Sequence, residues 1–326
     1  MKHVSILIPR GHTSLVNIEG THQILCEVNK ILTEMGKAPV FDVKLVGISR
    51  TTTQTSGLFT VNPDELIKDV KKTDLIFIPA LHDDQVKARE MNKEFIPWII
   101  DQYKNGAEIA SFCIGSFFLA FTGLLKGKQC TTHWIFANEF RNMFPDVTLL
   151  DDKIMTAQDG IYTSGGAYSY LNLLLYLIEK HAGRNIAVII SKAFMIDIDK
   201  DNQSQFIIFK GQKGHDDIEV IKAQEFIEKN FTEKITVDQL AEMLALSRRS
   251  LERRFKKATC NTVTEYIHRV KVEAAKIGLE SSRNNVNEVM YKVGYVDPKA
   301  FRITFKKITG LSPTQYRNKF NRELTN

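Results

Sequence analysis

Within Ile235–Ala258 (ITVDQLAEMLALSRRSLERRFKKA), the ten residues 248–257 hold six cations, Arg248, Arg249, Arg253, Arg254, Lys256 and Lys257, and one acid, Glu252. Leu251 and Phe255 recur among them at helical spacing, so a helix that buries those two turns the cations outward. Such a surface neutralises phosphates and offers guanidinium forks to base edges. About fifty residues later Val286–Lys307 (VNEVMYKVGYVDPKAFRITFKK) repeats the design, with Lys299, Arg302, Lys306 and Lys307 around Phe301 and Phe305. One such hairpin has a bland reading as a solvated helix pair; two at a workable separation are harder to explain as packing.

Elements must hold these faces in place. Thr236 caps a helix whose Leu240, Ala241 and Leu244 face inward, and Ala245–Leu246–Ser247 is a tight turn with Ser247 as the next cap. In the second unit Val289 and Val293 face inward, Gly294 makes the turn, Asp297 caps and Pro298 starts the helix. Between the units Val263–Glu280 reads as one helix of roughly 27 Å at 1.5 Å per residue. Such a strut sets two helices near the roughly 34 Å repeat of duplex DNA, within reach of successive major grooves. On this reading Arg248, Arg249 and Arg253 probe one groove and Lys299, Arg302 and Lys306 the next. Arg254, Lys257, Lys271 and Lys307 neutralise phosphates.

A different chemistry is suggested at Cys113, which falls where a strand gives way to a helix. At such an elbow the helix start lowers a thiol's pKa and backbone N–H groups stabilise an oxyanion. A nucleophile also needs an oriented base. His133 is the candidate base; Glu19 or Asn17 is added only by what a family resemblance implies, an acidic side chain near the thiol, and with Ile114 these would line a pocket at the strand ends. Three readings stay open for the thiol: catalysis, a ligand pocket or redox-sensitive group, and an idle scaffold residue. His82–Asp83–Asp84 reads as a solvated turn, and Cys26 as a core residue.

The N-terminal part alternates apolar runs (His3–Pro9, Phe41–Ile48, Asp74–Pro79, Ala107–Cys113) with amphipathic stretches (Ile18–Met35, Glu90–Lys104), the rhythm of a mainly parallel α/β sheet with flavodoxin-like layering. Ala167–His181 and Asn185–Ile196 close it as helices. Residues 1–196 form this domain, the polar stretch 197–216 is a linker, and 217–326 is an all-α domain with two helix-turn-helix units. Charge follows the same division: residues 1–215 hold 23 Lys and Arg against 23 Asp and Glu, whereas residues 216–326 hold 21 against 15. The whole excess of +6 therefore lies in the helical part, where it favours a polyanion.

With 326 residues, 43% of them apolar, there is material for two cores. No run approaches a membrane span, and MKHVSILIPRGH is too short for a secretory core, so a cytoplasmic place is expected. The four cysteines lack disulfide or zinc-ligand spacing, and no metal or cofactor is expected.

The stretch Gly294–Lys319 (GYVDPKAFRITFKKITGLSPTQYRNK), with AEMLALSRRSLERRFKKAT and RVKVEAAKIGLE before it, resembles the signature of AraC/XylS-type regulators over the last hundred or so residues. Met290, Cys260 and Ile303 depart from it, the last where a basic residue is common. Ala110–Trp134 (ASFCIGSFFLAFTGLLKGKQCTTHW) and Thr163–Gly183 (TSGGAYSYLNLLLYLIEKHAG) resemble ThiJ/PfpI proteins, the class-I glutamine-amidotransferase-like family; the combination is that of GlxA-like regulators. The resemblance implies a sequence-specific transcriptional regulator of double-stranded DNA. It also implies an N-terminal domain that senses a small-molecule effector or forms a homodimer. The rival reading is a cysteine-dependent hydrolase or hydratase with a DNA-binding tail. Against it, catalytic relatives carry histidine directly after the cysteine, where this chain has Ile114, and the loop Pro79–Asp84 lacks their glycine pair.

Overall fold

The computed structural model describes residues 1–54, 57–198 and 202–321, which divide into two compact units, Met1–Gln203 and Ser204–Asn326. The first begins β1 (Lys2–Ile8), α1 (Leu15–Glu34), β2 (Phe41–Gly47), β3 (Thr52–Gln54), β4 (Phe59–Val61), β5 (Glu65–Leu66), β6 (Leu75–Ile78), α2 (Gln85–Met91) and α3 (Phe95–Lys104). It continues with β7 (Glu108–Ser111), α4 (Gly115–Phe121), β8 (Gln129–Cys130), α5 (Ala137–Met143), β9 (Thr148–Leu149), β10 (Met155–Gln158), β11 (Ile161–Ser164), α6 (Tyr170–Ala182) and α7 (Arg184–Ala193).

Seven strands form one sheet in the order β10-β11-β7-β6-β1-β2-β5, parallel throughout except for the β10–β11 hairpin. The alternation of side chains along each strand builds a core on either face. Val4, Ile6, Leu75, Phe77 and Ala110 face the helices α1, α6 and α7, while Leu7, Ile76, Ile78 and Ile109 belong to the other layer with Phe95, Phe117 and Phe140. The chain winds outward from β1 to β2 and then returns to lay β6 on β1's other side. That reversal puts the topological switch point between β1 and β6, the usual ligand position in such sheets.

Two sequence expectations for this unit change. Glu90–Lys104 is not one helix: Asn92 breaks it, because its side chain accepts from Arg10 N (2.7 Å) and donates to Arg10 O (3.0 Å), clamping the loop after β1. Cys26 is exposed on α1 instead of buried.

The second unit is helical: α8 (Ile218–Asn230), α9 (Val237–Met243), α10 (Arg248–Thr259), α11 (Val263–Ser281), α12 (Val286–Lys292), α13 (Pro298–Thr309) and α14 (Pro313–Phe320). It has two cores that share α11. Val263, Tyr266 and Ile267 pack with α8, α9 and α10, whereas Val272, Ala275 and Leu279 pack with α12, α13 and α14. On α8, Val220, Ala223 and Ile227 face inward and Ile218 is exposed.

The stretch 197–216 is also more structured than a polar linker. Gln203 is buried in the first unit, its amide accepting from Gly166 N (2.8 Å) and donating to the carbonyls of Thr132 (3.0 Å) and Asp151 (2.9 Å). Residues from Ser204 belong to the second unit, where Phe209 packs edge-on against Tyr266 and its N–H meets Glu273 Oε2 at 3.0 Å. Residues 199–201 of the stretch lie outside the described residues.

Turn chemistry separates the two helix pairs. Ala245 and Gly294 both take a left-handed conformation, at φ 52° and 75°. A Cβ at Gly294, however, would overlap the Thr232 carbonyl oxygen. Gly294→Ala is therefore expected to destabilise the full-length chain by about 2–4 kcal/mol, read as a lower urea midpoint for the helical unit. Ala245→Gly should stay within about 1 kcal/mol, because glycine relieves the strain it costs in unfolded-state entropy.

Candidate nucleic-acid interface and cysteine elbow

Caps fix both recognition helices where the sequence places them. Thr236 accepts from Gln239 N and Ser247 from Ser250 N in the first pair; Asn285 forms a capping box with Glu288, and Asp297 accepts from Lys299 N, in the second. Burial then repeats in detail. Leu251, Phe255 and Thr259 are buried on α10, and Phe301, Phe305 and Thr309 at the matching places on α13. Each helix ends in a left-handed residue, Cys260 or Gly310, and each is followed by a capping box, Thr262–Glu265 or Ser312–Gln315. A side chain at Cys260 bears the strain that glycine avoids at position 310.

The outward faces carry the expected cations, but in different states. Arg249, Arg253, Lys257, Lys299, Arg302, Lys306 and Lys307 are exposed and form no ion pair among the described residues. Arg248 is exposed yet paired with Asp238 (3.1 Å) and Glu252 (3.2 Å). Exposed pairs of this kind contribute about 0–1 kcal/mol, so a phosphate or base edge can displace them at small cost.

Two expected phosphate contacts are corrected. Arg254 is half-buried and holds Asp217 with two bonds, Nε to Oδ2 at 2.9 Å and Nη2 to Oδ1 at 2.6 Å. Its guanidinium keeps the Asp217 carboxyl below its ordinary pKa, and the pair fastens α10 to the start of α8. Lys271 is only 7% exposed. Its ammonium donates to Gly294 O (3.0 Å) and Glu233 O (3.4 Å) and lies 5.5 Å from the centre of the Tyr295 ring. Burial lowers its pKa. Lys271 thus ties the turn of the second pair to the segment that leads into the first, and offers nothing to a phosphate.

At the sheet's carboxyl edge Cys113 has the elbow conformation, φ 53°. Gly115 is required beside it, since a Cβ there would meet Pro79 O at 2.5 Å. The thiol itself is poorly suited to attack. It is 4% exposed, and desolvation pushes its pKa up to about 12 despite a bond from the Ile114 backbone. Its surroundings are hydroxyls engaged with one another: Ser116 donates to Cys113 O (3.0 Å) and to Thr132 Oγ1 (2.8 Å), and Thr132 also donates to Cys113 O (3.2 Å).

The other predicted pocket residues divide. Ile114 is buried next to the cysteine. His133 caps a short helical turn, its Nδ1 accepting from Ile135 N (3.2 Å), with no bond to Cys113 among the described residues. Burial lowers its pKa, with His82 adding to the effect. Glu19 is exposed on α1, where its charge acts on Cys26 and not on Cys113. Asn17 is buried, and its Oδ1 accepts from Ala80 N (3.2 Å), which occupies a backbone donor of the loop after β6.

His82 and Asp84 are exposed in an irregular turn, as the sequence suggests, but sequence reasoning missed the neighbour that His82 has in His12. Their rings lie 5.1 Å apart where the loops after β1 and β6 meet; there His82 N donates to His12 O (2.7 Å) and His12 N to Asp83 Oδ2 (2.5 Å). Burial lowers the pKa of His82. Only strand order brings them together, since seventy residues of sequence separate them. No group of three or more His, Cys, Asp or Glu among the described residues could hold a metal ion.

With the thiol protonated and shielded, iodoacetamide at pH 8 is expected to label Cys260 and Cys26 in the folded chain and to leave Cys113 and Cys130 unmodified until denaturant is added. Labelling of Cys113 in native protein near neutral pH, followed by peptide mapping, would contradict the buried-thiol description.

Comparison with known proteins accords with this division. Residues 26–180 match the DJ-1/PfpI family and residues 240–319 a helix-turn-helix domain. The transcriptional regulator GbdR of Pseudomonas aeruginosa is 26% identical over 70% of this chain and 62% of its own length; CdhR of the same organism is 25% identical over 80% and 77%. The chain thus spans somewhat under two thirds of GbdR. The activator and DNA repair enzyme AdaA of Bacillus subtilis is 38% identical over 31% of this chain and 48% of AdaA. Among solved structures, Drosophila melanogaster DJ-1beta superposes with a TM-score of 0.51 at 18% identity, covering 60% of this chain and 98% of that one. An AraC family regulator from Pseudomonas putida does so at 0.51 and 16%, covering 60% and 100%; both show likeness of fold. The chain is thus similar to the DJ-1/PfpI family over residues 26–180 and to a helix-turn-helix domain over residues 240–319.

Proposed function

We propose that this chain is a sequence-specific transcriptional regulator that binds double-stranded DNA through α10 and α13 and acts in the cytoplasm. The observation that carries this is the repeated register. Two recognition helices with the same buried positions present unpaired cations on their outward faces and share α11 as a strut. At 19 residues α11 is about 28 Å long, which suits two helices addressing neighbouring major grooves. In this reading Arg249 and Arg253 read bases in one groove, with Arg248 joining them as its acidic partners are displaced. Lys299, Arg302 and Lys306 face the other groove, and Lys257 and Lys307 meet phosphates.

The N-terminal domain acts as a sensor or a self-association module, not as an enzyme. Supporting this, the Cys113 thiol is buried and has no bonded base among the described residues, and the Ala80 N–H of the neighbouring loop is already satisfied by Asn17. An effector would bind at the β1–β6 switch point near His12, His82 and His133.

The test is selection of duplexes from a random pool by the full-length chain, then binding of the winner at several salt concentrations. A bipartite site with halves about one helical turn apart, and affinity that falls steeply with salt, is expected. Arg253→Ala should relax preference at one or two base pairs by about 1–3 kcal/mol, whereas Lys307→Ala should weaken all sequences and reduce the salt slope by about one. Lys271→Met should leave the salt slope unchanged and lower stability by about 1–3 kcal/mol, the cost of unpaired buried carbonyls. Failure to enrich any sequence over a scrambled control would overturn the regulator reading.

A further inference from the structure

The two recognition helices are not chemically equivalent. Superposing them on their buried residues, with Phe255 on Phe305, sets Ile303 in the place of Arg253. Ile303 is 59% exposed in the middle of the outward face, with Lys299 a turn before it, Lys306 a turn after it and Arg302 alongside. The turns differ too. From the left-handed residue to the cap there are two steps in the first pair (Ala245 to Ser247) and three in the second (Gly294 to Asp297). The residue added is Val296, which is 85% exposed and so does not fold back onto its own helix.

A single exposed apolar side chain is ordinary on a protein surface. Here, however, the cations on either side would draw the helix against phosphate walls and press Ile303 onto base edges, where water is lost. An isoleucine cannot satisfy a donor or acceptor edge, and leaving one unpaired is costly. The major groove offers one apolar feature, the C5-methyl group of thymine. We propose that Ile303, with Val296 beside the helix start, is a specificity residue that reads thymine methyl groups. The chain would then read an asymmetric site, with a guanine-preferring half under α10 and a thymine-preferring half under α13.

This inference rests on the reading of the chain as a DNA-binding regulator, and the experiment separates the two. The selected duplex is remade with deoxyuridine in place of thymine, one position at a time, which removes only the methyl group. Full-length wild-type chain is expected to lose about threefold to fivefold in affinity at one or two thymines of a single half-site, the value of one buried methyl. Ile303→Ala should bind the unmodified duplex that much more weakly and show no further loss with deoxyuridine. Because Ile303 is exposed, the variant should keep the wild-type urea midpoint, and Ile303→Arg should shift selection at that base pair from T·A toward G·C. Tolerance of deoxyuridine at every thymine, or an undiminished penalty in Ile303→Ala, would overturn the thymine reading while leaving DNA binding intact. Absence of any sequence-selective duplex would overturn the regulator reading itself.

Discussion

The buried ammonium of Lys271 governs how the helical unit can use its two reading surfaces. It is held by the carbonyls of Gly294 and Glu233, which belong to opposite halves of that unit, and by the ring of Tyr295. Beside it the Gly294 backbone lies against Thr232 with no room for a side chain. A charge taken out of water this far is tolerated only where its donors are matched, so the two halves cannot drift apart without exposing unpaired groups on both. The continuous helix α11 adds stiffness, giving its first turns to one core and its last turns to the other. The consequence is that α10 and α13 keep a fixed spacing and direction, as the proposed DNA reader requires.

Within that frame the halves have diverged in what they present. The first recognition helix carries arginines, which suit hydrogen-bonding edges; the second carries lysines, one arginine and an exposed isoleucine. The α/β unit has gone the other way, keeping the shape of a catalytic elbow while burying its thiol and committing the neighbouring hydroxyls and Ala80 N–H to internal bonds. The elbow geometry is thus kept around a thiol whose pKa burial pushes up.

Much of this was legible in the residues, wherever the signal was local. Alternating apolar runs gave away the parallel sheet, and Ser247, Asp297 and Pro298 marked the helix starts because capping depends on near neighbours. The failures share a cause in contacts between distant segments. Asn92 splits a helix to serve Arg10, and Gln203 turns a polar stretch into a wedge among Gly166, Thr132 and Asp151. Lys271 reads as one more cation on an amphipathic helix, since nothing beside it in sequence announces the carbonyls that claim it. The pairing of His12 with His82 follows from the order of strands, which spacing along the chain does not reveal.

The rigid two-headed reader is tested most directly by lengthening its site. With the selected duplex in hand, five base pairs are inserted between the half-sites, which turns one half to the far side of the helix, and in a second duplex ten are inserted, which restores the facing but adds about 34 Å. A fixed strut predicts that both insertions reduce full-length binding to the level of a single half-site. Wild-type affinity for either lengthened duplex would contradict the account, because it would require the two recognition helices to move independently.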